Sequence, residues 1–224
     1  MKVLHISQNV AEGRAMNGKK KQIEYSKNEI CQALFQLLET YPFGDITVNE
    51  ILDLSQISRR TFYRYFSNKD QVLDYYFEGL ISHYQLLEDR ILAQKTFQGM
   101  LTVTLGFFLS HRENLALLIR DGQFHLLLEK FNRASLAIYQ KINAPWHVTN
   151  RNSLDDTLRF IVGGYFNIIS SWLMETEPRP AEEIAQHLQE LFQTIGNSFP
   201  YEKSVRWKFG LCYGFVIIFI FDTL

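Results

Sequence analysis

Residues Thr47 to Leu73 read TVNEILDLSQISRRTFYRYFSNKDQVL, and the order of residue types in this stretch decides the kind of fold the chain adopts. Thr47-Val48-Asn49-Glu50 has the form of a capping box. A hydroxyl and a carboxylate stand three residues apart, each able to satisfy an amide that the first turn of a helix leaves without a partner. Val48, Ile51, Leu52 and Leu54 supply the apolar side of the helix that follows. It stops at Ser55-Gln56-Ile57, where Ser58 offers a second N-cap. The next helix is predicted over Arg59 to Phe66, with Phe62 and Phe66 on one side and Arg60, Tyr63 and Arg64 on another. One face packs and the other reaches outward.

Working outward, Ile30, Leu34, Leu37 and Leu38 recur at three- and four-residue spacing. This predicts an amphipathic helix from Ser26 that ends near Pro42 and Gly44. Residues 1–22 mix Gly, Asn, Ser and Lys without a period and read as a flexible N-terminal arm, notable only for Lys19-Lys20-Lys21. Downstream of Ser67-Asn68, the apolar residues Val72, Leu73, Tyr76, Phe77, Leu80, Ile81 and Tyr84 sustain a long helix through about Ile91. Thr96 to Ser110, Glu113 to Ile119, Phe124 to Ile142, Ser153 to Met174 and Pro180 to Phe199 are further predicted helices. No strand pattern and no internal repeat occurs, so the fold class is all-α.

Two short helices joined by a turn of three or four residues, with Arg, Thr and Tyr on the outer face of the second, are what reading the DNA major groove requires. Arg59, Arg60 and Arg64 can each donate two hydrogen bonds to guanine O6 and N7, and Thr61 can touch a base edge. The phenols of Tyr63 and Tyr65 and the ammonium of Lys69 suit phosphate oxygens, which fix register without reading sequence. Thr47, with the helix amides it caps, suits another phosphate.

Ile46-Thr47-Val48, Ile51, the run from Ile57 to Phe66, Asn68-Lys69 and Val72-Leu73 together resemble the DNA-binding signature of the tetracycline-repressor (TetR) family. The specific part is Thr61-Phe62-Tyr63 followed by Tyr65-Phe66 and Lys69. One departure stands out: Leu54-Ser55-Gln56 occupies the place where the family commonly has an Ala-Gly pair. The resemblance implies a dimer whose two reading heads engage a pseudo-palindromic operator on double-stranded DNA, and a larger C-terminal domain that binds an effector and holds the homodimer. The division expected is residues 23–69 for the helix-turn-helix domain, 70–200 for the helical effector-binding and dimerisation domain, and 201–224 for an apolar tail without an assigned role.

The functional expectation is a sequence-specific transcriptional regulator, a repressor released by its effector. The alternative is an adaptor or co-activator that acts through protein partners on the same fold. In the C-terminal two thirds, Phe107, Phe108, Phe124, Tyr165 and Trp172 are candidates either for an apolar effector pocket or for plain core. Gly163 and Gly164, with Leu188 and Leu191 on the last predicted helix, are candidates for the dimer interface. Each glycine costs roughly 1 kcal/mol of helix propensity, which close approach of a partner or of a neighbouring helix would offset.

Composition agrees with a DNA-binding head on a near-neutral body. The chain has 224 residues and a formal net charge of -1. Met1 to Lys69 holds ten Lys or Arg against seven acidic residues, so the small positive excess lies in the N-terminal third. Two cysteines, Cys31 and Cys212, are too few for a disulfide framework or a thiolate metal site, and a reducing cytoplasmic compartment fits. The six histidines are scattered, no metal or cofactor is expected, and no motif of an enzyme occurs. Gly210 to Phe221 is apolar throughout but too short to span a bilayer, for which about 20 residues are needed. It reads as a buried terminal helix or strand, a tail from an altered reading frame, or a segment docking on a partner or, less in keeping with its length, a membrane.

Overall fold

A computed structural model of the chain describes residues 18–139 and 151–198. Among the described residues every regular element is a helix: α1 (Gly18–Leu38), α2 (Val48–Ser55), α3 (Arg59–Tyr65), α4 (Lys69–Gln85), α5 (Glu88–Leu92), α6 (Phe97–Ser110), α7 (Arg112–Arg120), α8 (Phe124–Tyr139), α9 (Arg151–Leu173) and α10 (Ala181–Ser198). The all-α fold is as the periodicities predict, and a helix-turn-helix domain ahead of a larger helical domain is as the motif and the resemblance imply.

The two largest differences from the predicted helices, at the start of the first and within the long one after Asn68, each have a physical reason. α1 begins at Gly18 rather than near Ser26, so residues 18–22 of the expected arm are helical. Lys20, Lys21, Gln22 and Glu24 favour helix without adding to the apolar stripe that the sequence reading followed. Ser26 is interior to the helix, with its hydroxyl donating back to the Gln22 carbonyl at 2.9 Å. The long helix expected through Ile91 is broken at residues 86–87 into α4 and α5. Tyr84 and Ile91 on either side are both buried, while Leu86 at the break is exposed. No proline or glycine marks the place, so packing decides it. The expectations for residues 1–17, for the end of the helix from Phe124 to Ile142, and for the 201–224 tail lie outside the described residues.

The chain divides into two compact units, the first ending at His83 and the second beginning at Tyr84. The motif ends at residue 69, but α4 continues the first core. Its Tyr76 ring lies 4.4 Å from that of Phe35 on α1, and Phe66 and Tyr75 meet at 5.8 Å. The Tyr75 hydroxyl bonds to Glu24 and Asn28 of α1 at 3.0 and 2.8 Å. Ile30, Leu34, Ile51, Phe62 and Leu73 complete this interior.

In the second unit α10 packs on α6, and α8 and α7 pack on α9. Its centre is aromatic: Phe108, Phe124 and Phe131 all meet the ring of Phe166, at 6.2, 5.3 and 4.9 Å. Tyr84 enters the same unit through a 2.8 Å hydrogen bond with Thr104 and an edge contact with Phe107. The end of α9 is closed from a distance, since Arg112 donates to the carbonyls of Leu173 and Glu175 at 2.8 and 2.6 Å. No described helix is long and apolar enough to cross a membrane.

Candidate nucleic-acid interface

α2 starts where the capping box predicts. The Glu50 amide donates to Thr47 Oγ1 at 3.3 Å, and the Thr47 amide and hydroxyl both donate to Glu50 Oε2 at 2.7 Å. These bonds, with the Lys69 ammonium nearby, hold the Glu50 carboxyl below the usual carboxylate range. Thr47 therefore already has a carboxylate on the donors that a phosphate would use.

The end of α2 is closed without a glycine. Gln56 takes the left-handed conformation, φ 56° and ψ 23°, in which glycine is most at ease. Its own amide group donates to the Asp53 carbonyl at 2.6 Å, and the Ser55 hydroxyl donates to the Leu52 carbonyl at 3.4 Å. Side chains thus satisfy carbonyls at this helix end. Ser58 then caps α3, its hydroxyl accepting from the Thr61 amide at 3.2 Å.

α3 presents two faces. Phe62 and Phe66 are buried with their rings 5.9 Å apart, which pins the inner side. Arg59, Arg60, Tyr63 and Arg64 are exposed, and Thr61 and Tyr65 are half-buried. The arginines are not equivalent. Arg59 donates to Oδ1 of Asn49 on α2. Arg64 lies over the Tyr65 ring at 4.6 Å and donates to its hydroxyl at 2.6 Å. Arg60 and Tyr63 make no side-chain hydrogen bond among the described residues, so both are directly available to a ligand.

Lys69 is placed differently from the other candidates. Its ammonium donates to the carbonyls of Phe43, Gly44 and Ile46 at 2.5, 2.9 and 2.7 Å and lies 4.8 Å from the centre of the Phe43 ring. Neither this grip nor the Asn49–Arg59 bond has a signal in the sequence, because the partners are far apart along the chain.

The C-terminal candidates also separate. Phe107, Phe108, Phe124, Tyr165 and Trp172 are all buried. Phe108 and Phe124 both join the Phe166 cluster, whereas the Trp172 indole donates to the Arg179 carbonyl at 2.9 Å. Leu188 is buried within the single chain, and Leu191, one turn later, is 49% exposed. Of the two leucines expected at an interface, Leu191 is therefore the one that a single chain leaves open. A Cβ added at Gly163 or Gly164 would meet nothing within 4 Å. Among the described residues, close packing therefore does not account for these glycines.

A pinned inner face, an exposed basic outer face and a preceding helix held across a capped turn define a helix-turn-helix protein. Residues 30–76 match the model of the bacterial regulatory proteins of the tetR family, and the chain carries that family's DNA-binding domain. Over 200 residues it is 24% identical to the uncharacterized HTH-type transcriptional regulator YxbF of Bacillus subtilis (strain 168), a match covering 84% of this chain and 48% of that protein. The chain thus spans about half the length of this curated relative. The crystal structure of a TetR transcriptional regulator from Streptococcus agalactiae 2603V is similar in fold. It gives a TM-score of 0.54 at 20% identity, over 77% of this chain and 96% of that one.

Proposed function

We propose that the chain is a sequence-specific DNA-binding transcriptional regulator, a repressor acting in the cytoplasm as a homodimer on a pseudo-palindromic operator and released by an effector. The observation that carries this reading is the outer face of α3. Arg60 and Tyr63 stand exposed on a helix whose opposite side is pinned by Phe62 and Phe66, which is how a side chain is offered to a base edge without melting the helix that holds it. Arg59, Arg60, Thr61 and Arg64 supply groove contacts, and Tyr63 and Tyr65 supply contacts to the backbone. Thr47 sets the start of α2 at the edge of that face.

Support for the dimer comes from α9 and α10. Asp156, Phe160, Gly164, Asn167 and Ser171 form an exposed stripe at helical spacing on α9, with Phe160 at 78% exposure, and Leu191 adds an exposed leucine on α10. A phenylalanine this open, beside a glycine that no described residue crowds, suits a second helix pair of the same kind.

Fluorescence-anisotropy selection from a genomic-fragment pool at two salt concentrations tests the function. Wild type should recover a palindromic site, and the Arg60→Ala, Tyr63→Ala double variant should not, while remaining a folded dimer. Specific binding retained by that variant, or equal weak binding by both proteins, would overturn the assignment.

A further inference from the structure

We propose that Lys69 is a positioning residue for the DNA-reading head: it clamps the α1–α2 loop to the start of α4 rather than contacting phosphate. The proposal rests on the DNA-binding reading above and assigns one residue's part in it. An ammonium has three N–H donors and no more. In Lys69 they meet three carbonyls, those of Phe43, Gly44 and Ile46, at 2.5 to 2.9 Å, and the charge rests against the Phe43 ring. No donor is left for a phosphate unless a loop carbonyl gives one up. Phe43 and Ile46 are themselves buried, so the loop is anchored by two apolar side chains from below and by Lys69 through its backbone.

The consequence runs along the chain. Ile46 is followed directly by Thr47, the N-cap of α2, and two residues on stands Asn49, which accepts from Arg59 at the head of the reading helix. Fixing the carbonyls at 43, 44 and 46 fixes where α2 starts, and α2 in turn orients an arginine of α3. Lys69 thereby acts on DNA binding from outside the contact surface. It also gives α4 a hold on the reading head at its first residue.

The two roles differ in which substitution rescues them. Arginine serves a phosphate as well as lysine does, but a planar guanidinium cannot place its donors on three carbonyls that converge on one nitrogen. Lys69→Arg and Lys69→Met should therefore both bind a duplex selected by wild type about tenfold more weakly, the scale of losing a helix cap. For both, the slope of log affinity against log salt should stay that of wild type, because no phosphate contact is lost. In the free variants, amide exchange at Glu50 and Ile51 should quicken by about tenfold. Wild type alone supplies a further check. The Lys69 ammonium should give a persistent NMR signal with couplings to the three carbonyl carbons, unmoved when the duplex is added.

Wild-type affinity in Lys69→Arg, together with a salt slope reduced by about one phosphate in Lys69→Met, would overturn the proposal. So would an ammonium signal that shifts onto the DNA. Should wild type bind no duplex at all, the DNA-binding reading falls, and amide exchange and the ammonium signal still decide the clamp.

Discussion

The guanidinium of Arg59, first residue of α3, donates to the side-chain carbonyl of Asn49 on α2, ten positions earlier. This bond joins the two helices of the reading head across their exposed side, and it holds one arginine of three in a set direction. Its contribution to stability is small, since exposed polar pairs are worth about 0–1 kcal/mol. On the proposed DNA-binding reading it would act through orientation, because a free arginine must first be ordered. Asn49→Ala should leave the unfolding midpoint within about 0.5 kcal/mol of wild type and weaken operator binding several-fold. Equal affinity in anisotropy titrations would show that Arg59 needs no such guide.

Gln56 offers a stability test at the turn. A non-glycine residue in the left-handed region carries roughly 1–2 kcal/mol of strain, offset here by its bond to Asp53 and by the lower backbone entropy of a residue other than glycine when unfolded. Gln56→Gly should stabilise the protein by up to about 1 kcal/mol in urea unfolding. Destabilisation would mean that the side-chain bond outweighs the strain it accompanies.

Cys31 supplies a pH dependence. Burial on α1 pushes its thiol up to about 12, against about 8.5 for an open thiol. The native state therefore keeps a proton that the unfolded chain releases, so this contribution is intact below about pH 8.5 and declines as pH rises toward 12. The loss can reach about 1.4 kcal/mol per pH unit within that window. Burial also raises the Tyr75 and Tyr84 hydroxyls, adding to the decline at higher pH. In Cys31→Ala the stability curve between pH 8.5 and 10 should be flatter than in wild type. Parallel curves would remove the buried thiol as the cause.

Phe160 tests the dimer. Covering such a side chain is worth about 1.5–3 kcal/mol, and a two-fold interface counts it twice. Phe160→Glu should raise the dimer dissociation constant at least about a hundredfold in sedimentation equilibrium, with helical content unchanged. An unchanged constant would move the interface away from the exposed stripe of α9.

Arg112 closes the end of α9 through the Leu173 and Glu175 carbonyls. Removing a charged donor from two half-buried carbonyls costs about 1–3 kcal/mol. Arg112→Ala should lower stability by that amount without disturbing DNA affinity in the dimer. A neutral substitution would show that water replaces the guanidinium at both oxygens.

The helices of the N-terminal head and the two faces of α3 were legible in the amino-acid order. Caps at Thr47 and Ser58, the pair Phe62 and Phe66, and the outward run from Arg59 to Tyr65 are local, and local hydrogen bonding and a 3.6-residue period leave their mark in neighbouring letters. Tertiary structure alone decided what depends on residues distant in sequence. It broke the helix between Tyr84 and Ile91, turned Leu188 inward while leaving Phe160 and Leu191 exposed, and set the Lys69 ammonium on three carbonyls more than twenty residues upstream. A lysine's charge is plain in the sequence, but where its flexible chain carries that charge is settled only by what the folded backbone brings within its reach.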